Sequence, residues 1–350
     1  MVTNLKGKDF LSELDFSREE LETILDVAWD LKRKRATGEP HELLKGKTFF
    51  MIFYNQSLRT RNTFEAGMHQ LGGHAHDLNP KEIYTPALPG REVAYSTERV
   101  SDVARVLSRV GEGIGIRCYG KPVDWVYGDA HVMIEEFAKW ADIPVINMED
   151  DVFHPCQAMA DIMTIMEKKG RDLRGKKFVM SWAYSPSVEK PLAVPQSAIG
   201  IASKFGLNIT LAYPEGLDLD PHIVDEVKAN AKKSGGSFEI VNDMKEAFKD
   251  ADIVYPKAWT SRHFIPPESD KPYLEKAQEL FDRNKDWKTT KEMMKLAKED
   301  AIYLHCLPAD RGFEVDDDVI DGPQSVVFDE AENRLHAQKA ILALLLGGRI

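Results

Sequence analysis

The sequence predicts an α/β fold made of two doubly wound parallel-sheet domains. Short, nearly continuous apolar segments alternate with amphipathic stretches that are long enough for helices. This alternation is typical of βαβ units, whose parallel sheets are covered by helices on both faces. It runs in two series, separated by a break near 154–155, and a length of 350 residues also favours two domains over one.

The first series begins with a helix. Ser17 and Glu20 form a capping-box pattern, which predicts that the helix starts directly after Ser17. Apolar residues then follow at helical spacing, namely Leu21, Ile24, Leu25 and Ala28. Strands are predicted at 49–54, 113–117 and 143–147, with helices over 96–109 and 131–140.

The second series begins with a bridging helix that starts near Gln157. Strands are predicted at 178–182, 208–212, 252–255, 302–305 and 325–328. The stretch 261–288 is rich in Pro, Lys, Glu and Asp, and we expect a surface excursion with one helix there.

Composition excludes several classes of protein. The formal net charge is −11 and the pI is near 5.5, which disfavours non-specific nucleic-acid binding through a basic surface. Three scattered cysteines are too few for a disulfide framework or a four-ligand zinc site. No apolar run reaches the 18 or more residues typical of a membrane helix, and residues 1–10 contain no apolar run of the kind expected in a signal segment. We therefore expect a soluble, cytoplasmic protein.

The strongest local signal is Ser57–Arg61 (S-L-R-T-R), which follows a predicted strand and opens a helical pattern. A helix start offers unpaired N–H groups to an anion, and here Arg59 and Arg61 add charge-assisted donors. An ordinary capped helix with exposed arginines is the alternative. The segment is not a P-loop, because the Gly-rich turn and the Lys-Ser/Thr ending are missing. The glycines at 111–115 precede a strand, so they are not a dinucleotide fingerprint.

Three later segments carry weaker signals. His154 and Gln157 stand at the predicted domain junction, although each could have a purely structural role. Cys306 follows a predicted strand in H-C-L-P, at the end of the sheet where ligands bind, but no base for a thiol nucleophile stands beside it. Arg334 lies in a helix start that would mean little alone.

Together these segments resemble the aspartate/ornithine carbamoyltransferase superfamily. S-L-R-T-R is similar to its carbamoyl-phosphate motif, commonly S-T-R-T-R, and H-P-C-Q (154–157), H-C-L-P (305–308) and E-N-R-L (332–335) are similar to later blocks. The resemblance covers almost the whole chain, from about Leu11 to Gly347.

The resemblance implies an organisation. The first domain, 1–152, would bind carbamoyl phosphate, and a C-terminal helix over 331–350 would pack back on it. The second domain, 153–330, would bind the amine acceptor, with an active-site cleft between the two domains. It also implies a homotrimer with shared active sites, acting on small molecules without nucleic acid or membrane, and requires no metal or other cofactor.

The resemblance also assigns roles to single residues. The phosphate would be held by Ser57, Leu58 (backbone), Arg59 and Thr60. Arg117 would hold phosphate and the carbonyl oxygen, and His154 would polarise that carbonyl. Gln157 and the Leu307 carbonyl would orient the carbamoyl NH2, with Cys306 and Arg334 lining the pocket. Arg59, Arg117, His154, Gln157 and Cys306 form the predicted catalytic set.

The acceptor side departs from the ornithine pattern. Ornithine-type members have D-x-W-x-S-M-G, where the Asp contacts the α-amino group; this chain has Lys257 at that position. A lysine favours an acceptor carboxylate or a masked α-nitrogen. The P-L-P-R loop of the aspartate branch is absent.

The knotted branch is similar at four places, namely 147–149, 182–184, the Pro-rich link 190–196 and Lys257. That branch contains N-acetylornithine and N-succinylornithine carbamoyltransferases and also members of unassigned substrate. This implies a trefoil-type knot in the second domain, with Glu149, Tyr184, Lys257, Cys306 and Leu307 binding the acceptor. Met293 stands where the acetylornithine type has a lysine that becomes carboxylated. N-acylated ornithine or another carboxylate-bearing amine is the predicted acceptor.

Three alternatives stay open at this point. One is ornithine itself, and another is a non-catalytic carbamoyl-phosphate-binding paralogue. The weakest is a nucleotide-dependent dehydrogenase, since the glycine fingerprint is missing.

Overall fold

The computed structural model describes residues 4–270 and 273–347, and these form two compact units. Among the described residues, the first unit contains 4–124, 128–159 and 334–347, and the second contains 125–127, 160–270 and 273–333. The ends of the predicted first domain, 1–3 and 348–350, lie outside the described residues, as do 271–272 of the predicted excursion.

The first unit is built on a four-stranded parallel sheet in the order β2-β1-β5-β6. A short parallel pair, β3-β4, lies outside that sheet. The elements of the first unit, in chain order, are α1 (Arg18–Thr37), β1 (Thr48–Phe53), α2 (Arg59–Gln70), β2 (His74–Leu78), β3 (Thr85–Ala87), β4 (Thr97–Arg99), α3 (Val100–Val110), β5 (Gly113–Arg117), α4 (Asp129–Trp140), β6 (Val145–Glu149) and the start of α5 (Pro155–Lys169).

Two predicted elements of this unit, a strand and a helix, are confirmed, and both have buried apolar residues. Strand β5 matches the predicted 113–117, and its residues are all buried. Helix α1 begins after Ser17 with both capping-box bonds, Glu20 N to Ser17 Oγ (3.2 Å) and Ser17 N to Glu20 Oε2 (2.8 Å). The four apolar residues predicted to face the core are at most 1% exposed. Strand β2 was not predicted, because this edge strand exposes residues such as His74 and His76.

The second unit is built on a five-stranded parallel sheet in the order β11-β10-β7-β8-β9. Its elements, in chain order, are the rest of α5, β7 (Lys177–Trp182), α6 (Ala193–Lys204), β8 (Asn208–Ala212), α7 (Pro221–Ser234), β9 (Ser237–Val241), α8 (Met244–Phe248), β10 (Ile253–Lys257), α9 (Leu274–Asp282), α10 (Lys291–Met294), β11 (Ile302–Tyr303), α11 (Asp317–Ile320) and α12 (Val327–Leu345).

The structure corrects two predicted strands in this unit. The strand predicted at 325–328 is wrong: Ser325 forms only an isolated bridge with Tyr303, and α12 already begins at Val327. Val326 and Val327 are buried where the helix begins, whereas Phe328 is exposed, so the apolar run belongs to a helix start rather than to a strand. The strand predicted at 302–305 is shortened to β11, because the chain turns at 305–308. The excursion carries its predicted helix, α9.

Strand ends position the residues of interest. β1 leads into 57–61, while β5 ends at Arg117 and β6 at Glu149, three neighbouring strands of one parallel sheet. In the second unit, β10 ends at Lys257 and the neighbouring β11 leads into His305. In open parallel sheets ligands bind at this edge.

Among the described residues, the helices that form are too short or too polar to cross a bilayer.

Candidate active site

The first site segment lies between β1 and α2. Leu58 precedes the helix at φ −81° and ψ −58°, and its side chain makes no capping hydrogen bond. The first N–H groups of a helix have no intrahelical acceptor and carry the positive end of its dipole. Ser57 is half-buried and Leu58 is 72% exposed, so this turn lies near the surface. The N-terminus of α2 is therefore suited to an anion.

The side chains of the two arginines in this segment, Arg59 and Arg61, have different neighbours. Arg59 is half-buried, and its charge acts on both His154 and Arg334. Arg61, predicted to add charge to the same site, instead forms an ion pair with Asp77 of β2. Its guanidinium carbon lies 4.1 Å from the centroid of the Phe53 ring. An acid and an aromatic ring on the sheet thus hold the Arg61 side chain, and its predicted phosphate contact stays a prediction.

Arg334 joins three segments that are far apart in sequence. Its Nη2 donates to Thr60 Oγ1 (2.8 Å) and its Nη1 donates to Gln157 Oε1. The side chain is 1% exposed. Among the described residues, no carboxylate forms an ion pair with Arg334. A buried guanidinium hydrogen-bonded only to neutral groups is costly unless an anion joins it.

Arg117 lies at the end of β5 and has an acidic neighbour. It forms an ion pair with Glu149, and its Nη2 donates to Tyr119 Oη (3.1 Å). Glu149 is buried, and its backbone φ is +146°, which L-amino acids rarely adopt. Such a conformation costs about 1–3 kcal/mol and tends to persist at functional sites.

His154 lies beside the same carboxylate. Its Nε2 is 3.4 Å from Glu149 Oε2, and the ring is 3% exposed. Burial holds the pKa of His154 well below its usual range, and the charges of Arg334, Arg117 and Arg59 lower it further. The imidazole is therefore neutral at pH 7 and can donate one hydrogen bond.

These side chains form one cationic group, which we call the arginine cluster: Arg59, Arg117, Glu149, His154 and Arg334. Burial lowers the pKa of Arg334, and the charges of Arg117 and Arg59 lower it further. Arg117 and Arg59 thus disfavour the charge of Arg334, and the single carboxylate of Glu149 does not balance three guanidiniums. A dianion placed among them would gain charge-assisted hydrogen bonds from several donors at once.

The second unit contains a different charged group around Lys257. The Lys257 ammonium lies 3.2 Å from Glu314 Oε1, and Glu314 is fully buried. Burial favours the neutral amine, but Glu314, with Cys306 and Asp310, raises the pKa of Lys257 to about 12. Lys257 therefore keeps its charge and already has a counter-ion.

Glu314 also organises the turn after β11. His305 Nε2 lies 3.2 Å from Glu314 Oε2, and the backbone N–H groups of Ala258 and Asp310 donate to this carboxylate at 2.8 Å each. Leu307 N donates to His305 Nδ1 (2.9 Å), which leaves the ring proton on Nε2, facing Glu314. We call Lys257, His305, Cys306, Leu307 and Glu314 the lysine cluster.

Tyr184, another predicted acceptor residue, has its partners outside the lysine cluster. Tyr184 Oη donates to Asp282 Oδ1 (3.2 Å), and its ring centroid is 6.0 Å from that of Phe313. Glu149 belongs to the first unit, where it pairs with Arg117. Leu307 has φ +56°, a left-handed conformation that turns the backbone sharply after Cys306, which is 8% exposed.

Sequence reasoning missed Glu314. A lone glutamate between Phe313 and Val315 carries no motif, and its importance comes from four donors that converge on it in three dimensions. Apolar neighbours on both sides were the one available signal of burial.

The described residues contain no group of three or more His, Cys, Asp or Glu side chains arranged to hold a metal ion.

Comparison with known protein families identifies both parts of the chain. Residues 8–167 match the model "Aspartate/ornithine carbamoyltransferase, carbamoyl-P binding domain", and residues 192–345 match "Aspartate/ornithine carbamoyltransferase, Asp/Orn binding domain". Together these matches span most of the sequence.

Individual relatives carry two different names. The chain is 43% identical over 348 residues to an ornithine carbamoyltransferase of Thermococcus kodakarensis, covering 99% of each chain. It is 39% identical to an N-acetylornithine carbamoyltransferase of Xanthomonas campestris pv. campestris, covering 97% of this chain and 98% of the relative.

Solved structures divide in the same way. The ornithine carbamoyltransferase from Pyrococcus furiosus matches with a TM-score of 0.83 and 41% identity, covering 100% of both chains. An acetylornithine transcarbamylase complexed with acetylcitrulline matches with a TM-score of 0.89 and 38% identity, covering 97% of this chain and 99% of that one.

Proposed function

The chain belongs to the aspartate/ornithine carbamoyltransferase family and is a carbamoyltransferase, and from that premise we propose which residues carry the reaction and which amine accepts the group. Carbamoyl phosphate is the donor. The acceptor is the amine of a carboxylate-bearing, ornithine-like amino acid, and phosphate is the leaving product.

The observation that carries the donor assignment is the environment of Arg334. This guanidinium is 1% exposed, contacts Thr60 and Gln157, and shares its surroundings with Arg117 and Arg59. Bound phosphate would supply the negative charge that the cluster lacks. The carbamoyl-phosphate roles of Ser57, Leu58 and Arg59 extend this site to the start of α2.

The chemistry follows from the donors. The neutral amine attacks the carbamoyl carbon, and negative charge grows on the carbonyl oxygen. Arg117 and the neutral His154 ring donate hydrogen bonds to that oxygen, while Gln157 Oε1 accepts one from the carbamoyl NH2. The bond from carbon to the phosphate oxygen then breaks, and the departing phosphate takes the proton that the attacking nitrogen loses.

In the second unit we assign the acceptor to the lysine cluster and Tyr184. An ammonium has three N–H donors, and the contact of Lys257 with Glu314 uses one of them. The other donors can bind an acceptor carboxylate. We assign the Leu307 carbonyl to the carbamoyl NH2, and Cys306 to the pocket wall beside the reacting amine.

Two acceptors fit this cluster. Lys257 keeps its positive charge, which favours a masked α-nitrogen, so we retain N-acylated ornithine as one candidate. Glu314 balances that charge, which weakens the repulsion of a free α-ammonium, so ornithine is supported equally. Relatives with both names match the chain over nearly its whole length.

Two features that the family resemblance implies remain proposals, namely the homotrimer with shared active sites and the trefoil-type knot. Two contacts are compatible with the knotted path near the Pro-rich link. Thr260 N donates to Lys190 O (3.1 Å), and Trp182 Nε1 donates to Trp259 O (2.9 Å). Sedimentation equilibrium would test the trimer, and chain tracing in an experimental map would test the knot.

The decisive experiment is a panel of amines with carbamoyl phosphate. Ornithine, Nα-acetylornithine, Nα-succinylornithine and aspartate are compared by phosphate release and by product mass. We expect phosphate release and a mass gain of one carbamoyl group with one of the first three. Binding of carbamoyl phosphate without turnover of any amine would favour the non-catalytic paralogue. Failure to bind carbamoyl phosphate would overturn the donor assignment.

A further inference from the structure

The loop that joins β6 to α5 carries two members of the arginine cluster. It spans 149–154, with Glu149 at one end and His154 at the other. Both side chains are buried, and Glu149 holds an unfavourable φ of +146°. A six-residue loop with a strained first residue needs contacts that stabilise its conformation, and the residues that make these contacts are not part of the predicted site.

Asp150 is the internal anchor of this loop. Its Oδ1 accepts hydrogen bonds from Val152 N (2.7 Å) and Phe153 N (2.5 Å), and its Oδ2 accepts one from Asn147 Nδ2 (2.8 Å). The side chain is fully buried. One carboxylate thus fixes the turn from within and ties it to the last residues of β6.

The external anchor is His131 on α4. Its Nδ1 lies 2.6 Å from Asp150 Oδ2, and its ring packs edge-on against Phe153 with centroids 5.3 Å apart. The backbone N–H of His131 also contacts Asp151 Oδ1 (3.3 Å), whose other oxygen accepts from Gly128 N (2.7 Å). The start of α4 therefore holds both acidic residues of the loop.

The protonation of His131 follows from these neighbours. The titratable groups that face the ring are Asp150 and Asp151 from the loop and Glu135 from α4, while the Cys118 thiol lies near both aspartates. Burial favours the neutral ring, but the hydrogen bond and charge of Asp150, with Glu135 and Asp151, raise the pKa of His131 to about 9. At neutral pH His131 is a cation bound to Asp150.

We propose that His131 is a positioning residue for carbamoyl transfer: bound to Asp150, it holds the 149–154 loop so that Glu149 and His154 meet Arg117 correctly. It touches neither substrate nor reacting atoms. The inference rests on the proposed function, because it assumes that Arg117 and His154 bind carbamoyl phosphate. It assigns a role to two residues that no sequence motif singled out.

The test compares two substitutions of His131 with different chemistry. Asn retains a donor near the position of Nδ1 but cannot titrate, whereas Leu removes the donor. His76, an exposed histidine of β2, provides the matched control His76→Leu. Carbamoyl-phosphate binding is measured by calorimetry without acceptor, and folding by thermal unfolding, for all four proteins.

Three results are expected. His131→Leu weakens carbamoyl-phosphate binding about tenfold, the effect of losing one charge-assisted hydrogen bond. His131→Asn keeps the donor but not the charge, so at neutral pH it binds carbamoyl phosphate more weakly than wild type and more tightly than His131→Leu. In wild type the affinity falls as pH rises through about 9, where His131 loses its proton, and this step is absent in His131→Asn. His76→Leu changes neither affinity nor its pH dependence.

The failures are distinguishable. If wild type itself does not bind carbamoyl phosphate, the proposed function fails. If wild type binds but His131→Leu binds equally well, or if the affinity is flat through pH 9, the positioning role is refuted. A purely structural histidine would lower the unfolding temperature in both variants without the pH step. If His131→Leu does not fold, the comparison of wild type with His131→Asn across pH decides the proposal alone.

Discussion

The arginine cluster of the first unit and the lysine cluster of the second bury their cations in opposite ways. Arg334 is bound by two neutral side chains, Thr60 and Gln157, and pairs with no described acid. Lys257 is paired with Glu314, a fully buried carboxylate that also accepts from Ala258 N. One cluster therefore carries an excess of positive charge, and the other is balanced.

The difference separates two uses of buried charge. A balanced pair can be stable without ligand, because each desolvated ion is compensated by its partner. An unbalanced group lowers the stability of the ligand-free protein and recovers that cost when an anion binds. We therefore expect substitutions in the two clusters to have opposite effects on stability and on ligand affinity.

The largest effect is expected in the lysine cluster. Glu314→Gln leaves the buried Lys257 ammonium without its counter-charge, and removing one partner of a buried pair costs about 3–5 kcal/mol. Glu226→Gln on the exposed face of α7 is the control. Denaturant unfolding should show a large loss for the first variant and none for the second. An equally small loss for both would mean that this pair contributes little.

In the arginine cluster the expected effect falls on binding instead. Arg334→Met should weaken carbamoyl-phosphate binding at least about 100-fold, or ~3 kcal/mol, because several charge-assisted contacts are lost. The ligand-free variant should be as stable as wild type or more so. Arg61→Met is the matched control, since Arg61 pairs with Asp77 at the surface and should not affect binding. A marked loss of ligand-free stability in Arg334→Met would contradict the comparison.

The sequence predicted the first cluster better than the second for a physical reason. Strands β1 and β5 are continuously apolar, so their ends could be located and the polar residues after them identified. The edge strands β2 and β9 alternate with exposed polar residues and were missed. Phe328 was predicted to be in a strand but is an exposed residue of α12.

Side-chain partners were harder to predict than positions. Arg59 and Arg61 look equivalent in the sequence, and only the sheet neighbours Asp77 and Phe53 distinguish them. The sequence does not identify the acid that pairs with Lys257, since Glu314 comes 57 residues later in the chain. Pairing over such distances depends on the fold, and one sequence without relatives carries no local pattern for it.

A smaller effect should distinguish His154 of the arginine cluster from His305 of the lysine cluster by the pH dependence of stability. The pKa of His154 is held well below its usual range by burial and three arginines, whereas Glu314 partly offsets the effect of burial on His305. A histidine with a depressed pKa takes up its proton only on unfolding, so stability falls as pH drops below its unfolded value near 6.5. Between pH 7 and about pH 5 this should cost ~2 kcal/mol for His154. Urea unfolding should show that His154→Gln removes this loss, and that His305→Gln removes less of it. Equal effects would show that the charge of Glu314 does not matter to His305.

The smallest predicted effect concerns acceptor choice, and it tests whether the balanced cluster binds substrate at all. Lys257→Gln alone would leave Glu314 with an uncompensated charge, so the informative variant is the double substitution Lys257→Gln/Glu314→Gln, compared with Glu314→Gln. If the ammonium binds the acceptor carboxylate, the double variant should lose about tenfold in kcat/KM, or ~1.4 kcal/mol, beyond the loss in Glu314→Gln.

The ratio of kcat/KM for Nα-acetylornithine to that for ornithine measures whether Lys257 determines the choice of acceptor. A lysine cation disfavours the free α-ammonium, so removing it should shift this ratio toward ornithine. Steady-state kinetics with both acceptors, at saturating carbamoyl phosphate, measures the change. An unchanged ratio with unchanged kcat/KM would mean that Lys257 only supports Glu314, and that acceptor choice is determined by other residues.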